Sequence, residues 1–112
     1  MKKTAYKLVF YVPVENAEFV KDAVFNAGAG KLGNYECCCF ESVGIGQFRP
    51  LSGSSPTIGN INEVTKVNEV KVEMICPEDS IKTAIEALKK VHPYEEVALQ
   101  FWKVQLNLWR CF

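Results

Sequence analysis

The sequence is short of histidine: one residue in 112, His92. A multi-histidine metal centre within one chain is therefore excluded. It has no excess of charge of either sign, with 13 lysines and arginines against 13 aspartates and glutamates. That argues against a nucleic-acid binder working by phosphate neutralisation and against a polybasic membrane anchor. No run approaches the ~18 apolar residues of a membrane span. The apolar stretch after Met1-Lys2-Lys3-Thr4 is interrupted by Lys7, Pro13 and Glu15, so it reads as a strand and not as a signal peptide. There is no CxxC pair, which leaves a zinc ribbon or a thioredoxin-type motif without support. The five cysteines are Cys37, Cys38, Cys39, Cys76 and Cys111. An odd count with three contiguous does not fit a secreted disulfide framework. They read as reduced, mostly buried small hydrophobes, and the expected compartment is the cytoplasm.

What is present is enough material for one core. Hydrophobic residues make up 48% and charged residues 23%, the balance of a folded domain. Residues 1–112 are expected to form a single domain. Residues 5–12, AYKLVFYV, put Tyr6, Leu8, Phe10 and Val12 on one face, while Val9 and Tyr11 make the other face apolar. That pattern predicts a central strand covered on both sides. Residues 16–27 switch to the helical period. Phe19, Val20, Ala23, Val24 and Ala27 share a face, and Glu18, Lys21 and Asp22 lie off it. Asn16 is the expected N-cap and Gly28 the C′ residue.

A glycine-rich segment follows, AGAGKLGNY, with Gly28, Gly30 and Gly33. It reads as a helix stop running into a tight turn, or as a nest of N–H groups for an anion. It lacks the GxxxxGK[ST] spacing and follows a helix instead of opening one, so it is neither a P-loop nor a Rossmann turn. Residues 35–43 read as a second strand, with Cys37 and Cys39 on one face and Cys38 on the other. Residues 44–62 read as a long irregular excursion rich in glycine, proline and serine. Phe48, Arg49 and Leu51 are its candidate contact residues. Residues 63–76 form a third strand, with Val70, Val72 and Met74 facing one way. Residues 79–91 repeat the helical period at Ile81, Ala84, Ile85 and Leu88, and His92-Pro93 stops the helix. Residues 97–104 make a fourth strand, and the alternating tail predicts a fifth at the edge.

The order β-α-β-β-α-β predicts an α+β, ferredoxin-like sandwich: an antiparallel sheet with two helices on one face. The strands are apolar on both faces at Val9, Tyr11, Phe101, Trp102 and Val104. A second copy of the chain is the expected cover for the face without helices.

The densest run of reactive side chains is His92-Pro93-Tyr94-Glu95-Glu96. An imidazole and two carboxylates suit a divalent cation or a proton transfer. The ordinary reading is a helix stop with a packed tyrosine and exposed glutamates. Alternation from the strand start places Glu95 and Glu96 on opposite faces. One of them is expected to accept backbone N–H bonds near a subunit boundary or the turn at 28–34. Cys37, Cys38 and Cys39 are conceivable soft-metal ligands.

Three motifs together carry a resemblance: GAGxxGNYxxCxF over 28–40, GxGxFRPxxGxxPxIG over 44–59, and HPYEE over 92–96. From about Tyr6 to Val104 the chain resembles the inserted domain of bacterial Nif-three-type proteins, the GTP cyclohydrolase type-2-like group. That domain is itself similar to the PII signalling proteins and to CutA, the divalent-cation-tolerance protein. The resemblance implies a PII/CutA-like fold and a homo-oligomer, most simply a trimer. The dinuclear-metal catalytic domain that flanks this insert in the family is not in the sequence, so the implied function is non-enzymatic. It is regulation, or the binding of a small ligand or partner, with no cofactor, nucleic acid or membrane involved. The alternative is a CutA-type role with divalent or copper ions. The ligand or partner residues that the resemblance carries over are Gly30, Gly33, Asn34, Tyr35, Phe48, Arg49, His92, Tyr94, Glu95 and Glu96. Metal candidates are Cys38, His92 and Glu95, with a protein partner expected at the 44–62 loop, the counterpart of the partner-contacting loop in PII proteins.

Overall fold

The computed structural model describes residues 2–107. Its strands are β1 (Lys2–Pro13), β2 (Phe40–Phe48), β3 (Thr65–Pro77) and β4 (Leu99–Asn107); its helices are α1 (Ala17–Asn26) and α2 (Ile81–Val91). They form one antiparallel sheet in the order β2-β3-β1-β4. The two longest strands, β1 and β3, take the centre. In their register Leu8 lies opposite Met74, Phe10 opposite Val72 and Val12 opposite Val70. All six are buried, together with Val20 and Val24 of α1 and Ala84 and Leu88 of α2. Both helices pack on this one face, as the strand–helix order requires. Complete burial of side chains such as Phe10 and Leu8 contributes about 1.5–3 kcal/mol each.

The two strand-to-helix junctions are the same device used twice. Pro13 and Pro77 end their strands at φ −53° and −55°, and a single 3-10 turn follows, Val14–Asn16 and Glu78–Ser80. Proline already holds the φ that the turn needs and has no N–H to leave unpaired. Asn16, expected to cap α1, makes no side-chain capping bond; the 3-10 turn leads into the helix instead. Gly28 does sit past the end of α1 with φ +112°. A side chain there would also run into Ser80.

The helical face of α1 differs from the expected one. Phe19 is exposed and Lys21 is 7% exposed. Lys21 Nζ lies 2.5 Å from Glu41 of β2 and 2.6 Å from Glu18. Burial disfavours its charge, but the hydrogen bonds to Glu18 and Glu41 more than offset this. The ammonium is held well above the ordinary lysine value. Pairing makes the burial tolerable.

The second strand is displaced along the chain from its expected position. Residues 35–39 do not join the sheet: Cys37 takes φ +59°, and Cys38 N–H donates to Gly30 C=O at 2.9 Å. The cysteines therefore lie on a bent segment, and strand alternation does not sort them. Gly44–Phe48, expected as loop, pair with Glu69–Thr65 instead. The β1–β3 pairing stops at Pro13 and Glu69, so Ile45–Phe48 and Thr65–Asn68 continue as a two-stranded arm. The irregular connection is accordingly 49–64, not 44–62. At the other edge Gln105–Asn107 extend β4 opposite Lys2–Thr4. The remainder of the predicted fifth strand lies outside the described residues.

On the face without helices, Val9 is buried by its neighbours, whereas Phe40 at 69% and Trp102 at 48% remain exposed. Val43 and Ile45, on the helix side of β2, are exposed as well. No helix among the described residues is long and apolar enough to cross a membrane.

Candidate functional site

Helix α2 ends because Pro93 forces His92 into an extended conformation, φ −67° and ψ 138°. The chain turns there, and the imidazole goes inward, 7% exposed. Its Nδ1 accepts the Tyr94 N–H at 3.1 Å. The proton therefore resides on Nε2, which donates to Tyr11 C=O at 2.7 Å. Tyr11 is one residue beyond the last β1–β4 pair, Phe10 with Leu99. The imidazole thus satisfies a strand carbonyl where β4 has not yet begun. Both ring nitrogens are used within the chain.

This clasp aims Tyr94 across the sheet. Its hydroxyl donates to Glu69 Oε2 of β3 at 2.8 Å. Burial, reinforced by that hydrogen bond, pushes the phenol above its ordinary value, so it stays protonated and remains a donor. The Glu69 carboxylate lies over Gly46 of β2, and a Cβ at Gly46 would overlap it. The glycine is therefore the clearance that lets Glu69 reach Tyr94. Phe48, at the end of β2, meets the Tyr94 ring at 5.9 Å and 60°, edge to face.

The 49–64 loop closes over this corner. Its base is tied by Asn62 N–H to Pro50 C=O at 2.6 Å and by Arg49 Nε to Asn62 C=O at 3.1 Å. Its tip is tied to the helix-stop segment. Thr57 Oγ1 donates to Pro93 C=O at 2.7 Å, and Ser55 N–H donates to Glu95 Oε2 at 2.8 Å. Between the arm, the loop and the corner lies a cavity of about 720 Å³. Its polar lining includes Arg49, Glu69, Glu95 and Glu96, and its aromatic lining is Tyr11, Phe48 and Tyr94.

The expected site residues divide into two places. Phe48, Arg49, Tyr94, Glu95 and Glu96 line the cavity, with His92 bracing it from behind. Glu95 and Glu96 precede β4, which starts only at Leu99, so strand alternation does not separate them and both face the cavity. Glu95 does accept a backbone N–H, but from Ser55 and not from the turn at 28–34. Glu96 makes no hydrogen bond or ion pair among the described residues.

Gly30, Gly33, Asn34 and Tyr35 are elsewhere. Gly30 N–H donates to Ile75 C=O at 2.7 Å. Ile75 is six positions along β3 from Glu69, about 20 Å at strand rise. In that turn the N–H groups of Gly28, Ala29, Gly30 and Leu32 all reach chain carbonyls, which leaves them no capacity for an anion nest. Cys38 lies beside Gly30, and its thiol contacts Glu36 C=O. Among the described residues no three His, Cys, Asp or Glu side chains converge as a metal ion requires. Cys38, His92 and Glu95 are thus not gathered into one site. Burial raises the Cys39 thiol above its ordinary value, which disfavours the thiolate that a soft metal would need.

Tyr11, Glu69, Ser55 and Thr57 are site residues that sequence reasoning missed. Gly44 and Gly46 alternate on one face of β2, and that spacing was the only local sign that something approaches the sheet there.

No family model matches the chain. It is 48% identical over 99 residues to a GTP cyclohydrolase 1 type 2 homolog of Bacillus subtilis, covering 88% of this chain and 26% of that protein. A Bacillus cereus protein related to NIF3 superposes with TM-score 0.77 at 38% identity, over 93% of this chain and 26% of that one. The chain spans about a quarter of the length of the curated relatives it matches. Two more distant structures share the fold over nearly their whole length. CutA from Xylella fastidiosa has TM-score 0.66 and 16% identity over 93% of this chain and 86% of that one. A nitrogen regulatory PII-like protein from Thiomonas intermedia, bound to ADP, AMP and bicarbonate, has TM-score 0.55 and 15% identity over 96% and 98%. The chain has the ferredoxin-like α+β fold that CutA and the PII-like protein share, and its sequence is related to a quarter-length portion of the NIF3-related proteins.

Proposed function

We propose that this domain is a non-enzymatic regulatory module that binds a small ligand in the cavity between the β2–β3 arm, the 49–64 loop and the His92–Glu96 corner. The observation that carries the reading is the construction of that cavity. The 92–96 corner is hydrogen-bonded to the 49–64 loop, 40 and 36 residues away, and to Glu69 at the base of the arm, 25 residues away, around about 720 Å³, within the ~300–1,000 Å³ range of ligand pockets. The loop has few apolar anchors, and the ties of its tip to Pro93 and Glu95 hold it against the corner. Occupancy of the cavity would therefore be transmitted to the arm and to the exposed Leu51 beside it, the surface suited to a protein partner. The ion-binding reading that CutA suggests needs converging ligands that the described residues do not provide. The free thiols Cys37, Cys38, Cys39 and Cys76 suit a reducing cytoplasm. Exposed Phe40 and Trp102 on the open sheet face suit a homo-oligomer, and the PII/CutA resemblance favours a trimer.

Thermal-shift screening tests the binding reading, with nucleotides, bicarbonate, amino acids, carboxylates and amines as ligand classes. One class should raise the Tm by about 10 °C, since saturation at ~100 times Kd adds about 2.7 kcal/mol. Phe48→Ala should abolish the shift. Absence of any shift, or a shift that survives Phe48→Ala, overturns the reading.

A further inference from the structure

We propose that the cavity selects a small organic cation, a protonated amine or quaternary ammonium compound, and rejects nucleotides. This rests on the reading of the cavity as a ligand site and goes beyond it by naming the ligand class. The charged groups lining the cavity are the carboxylates of Glu69, Glu95 and Glu96 against the single guanidinium of Arg49. That guanidinium is tethered to the loop base through Nε and Asn62 C=O. A nucleotide would bring several negative charges to this lining, where like charges repel. Phosphate sites are built around cations, and this lining offers one, the tethered Arg49, against three carboxylates.

The shape of the cavity favours the same ligand independently of its charge. The rings of Phe48 and Tyr94 meet at 60° with centroids 5.9 Å apart, forming an aromatic corner, and Tyr11 adds a third ring to the same cavity. Ring faces with adjacent carboxylates are the recurrent solution for organic ammonium groups. Glu69 is positioned for this. Tyr94 O–H occupies its Oε2, while its Oε1 lies over Gly46, where no side chain crowds it. An organic cation and a metal ion make different demands on a site. A metal needs several converging donors, and no such group of three exists among the described residues. An ammonium compound needs only aromatic rings beside one or two diffuse negative charges, and the lining places Phe48, Tyr94 and Tyr11 with Glu69, Glu95 and Glu96.

Titration calorimetry on the full chain tests this, with choline, tetramethylammonium, putrescine, ADP and AMP as probes. The sixth probe is 3,3-dimethylbutan-1-ol, the uncharged isostere of choline. At least one cation should bind, the neutral isostere should bind about tenfold more weakly or not at all, and the nucleotides should not bind. Phe48→Leu and Glu69→Gln should each weaken cation binding about five- to tenfold. Glu96→Gln, at an exposed position, should weaken it too and supplies the test if Glu69→Gln does not fold. If ADP or AMP binds and Phe48→Leu removes that binding, the module stands and the cation claim falls. If no probe binds, or cations bind equally well to all the variants, the proposal is overturned.

Discussion

Replacing His92 by alanine should loosen both the fold and the cavity. The substitution removes the donor to Tyr11 C=O and the acceptor of Tyr94 N–H. Both backbone groups lie against a ring that is 7% exposed. Leaving a buried polar group unpaired costs about 1–3 kcal/mol. Water entering the vacated space will satisfy part of the loss, so the two groups together should cost about 2–4 kcal/mol. Total stabilities of small domains are about 5–15 kcal/mol, so the variant should fold but be visibly weakened. With urea slopes of about 1–3 kcal/mol/M, the midpoint should fall by about 1–2 M. His92→Gln supplies a comparison, because its amide can still donate to Tyr11 C=O while the Tyr94 N–H loses its acceptor. It should fall between wild type and alanine. Ligand affinity should drop with stability, because the same clasp orients Tyr94 against Phe48 and Glu69. A midpoint shift below about 0.3 M for His92→Ala, the scatter of surface substitutions, would refute the clasp. The imidazole would then be available for another role.

Three other outcomes are expected. Gly30→Ala should destabilise by about 2–4 kcal/mol in urea titration, because a Cβ at φ +75° would press on the Phe25 ring and Cys38 C=O, while a ligand that binds the cavity should lose no affinity once the variant is folded. Gly46→Ala should leave stability nearly unchanged, since a flexible Glu69 can move aside, but it should uncouple Glu69 from Tyr94; adding Tyr94→Phe to it should then cost less than Tyr94→Phe alone in a double-mutant cycle. Burial, with Asp79 adding to it, pushes the Cys76 thiol from 9.0 up to about 11. The unfolded chain loses that proton first, so stability should be flat below pH 9 and fall by about 2 kcal/mol between pH 9 and 11, a fall that Cys76→Ala should make shallower.

Period alone sufficed for β1, β3 and α2, because Leu8, Phe10, Val12, Val70, Val72, Met74, Ala84 and Leu88 bury one face in each case. It failed at Lys21, since period sorts residues by polarity and the partner that makes this burial tolerable, Glu41, is 20 residues away. It failed again at β2. Gly44 and Gly46 carry loop composition, yet β3 supplies ladder partners that override it. The cysteine run reads as strand by composition, but the tie between Cys38 and Gly30 bends it out of the sheet. The same limit governs the site. The reactive run at 92–96 and the Phe48-Arg49 pair stand out locally. What joins them does not, because Tyr94 meets Glu69 across 25 residues and Glu95 meets Ser55 across 40. Adjacent glutamates read as a strand start were assigned opposite faces, whereas the bend after Pro93 brings both to one cavity.

The central claim is that the cavity, and not the glycine-rich turn, is where this domain takes its ligand. Amide chemical-shift mapping on the nitrogen-15-labelled chain, titrated with choline, tests it most directly. The account predicts saturable shifts at Phe48, Ser55, Thr57, Tyr94 and Glu95. The Ser55 amide should be the most diagnostic, because it donates to a lining carboxylate. Residues 28–38 should stay still. Shifts centred on 28–38, or no saturable shifts at 46–58 and 92–98, would contradict the account.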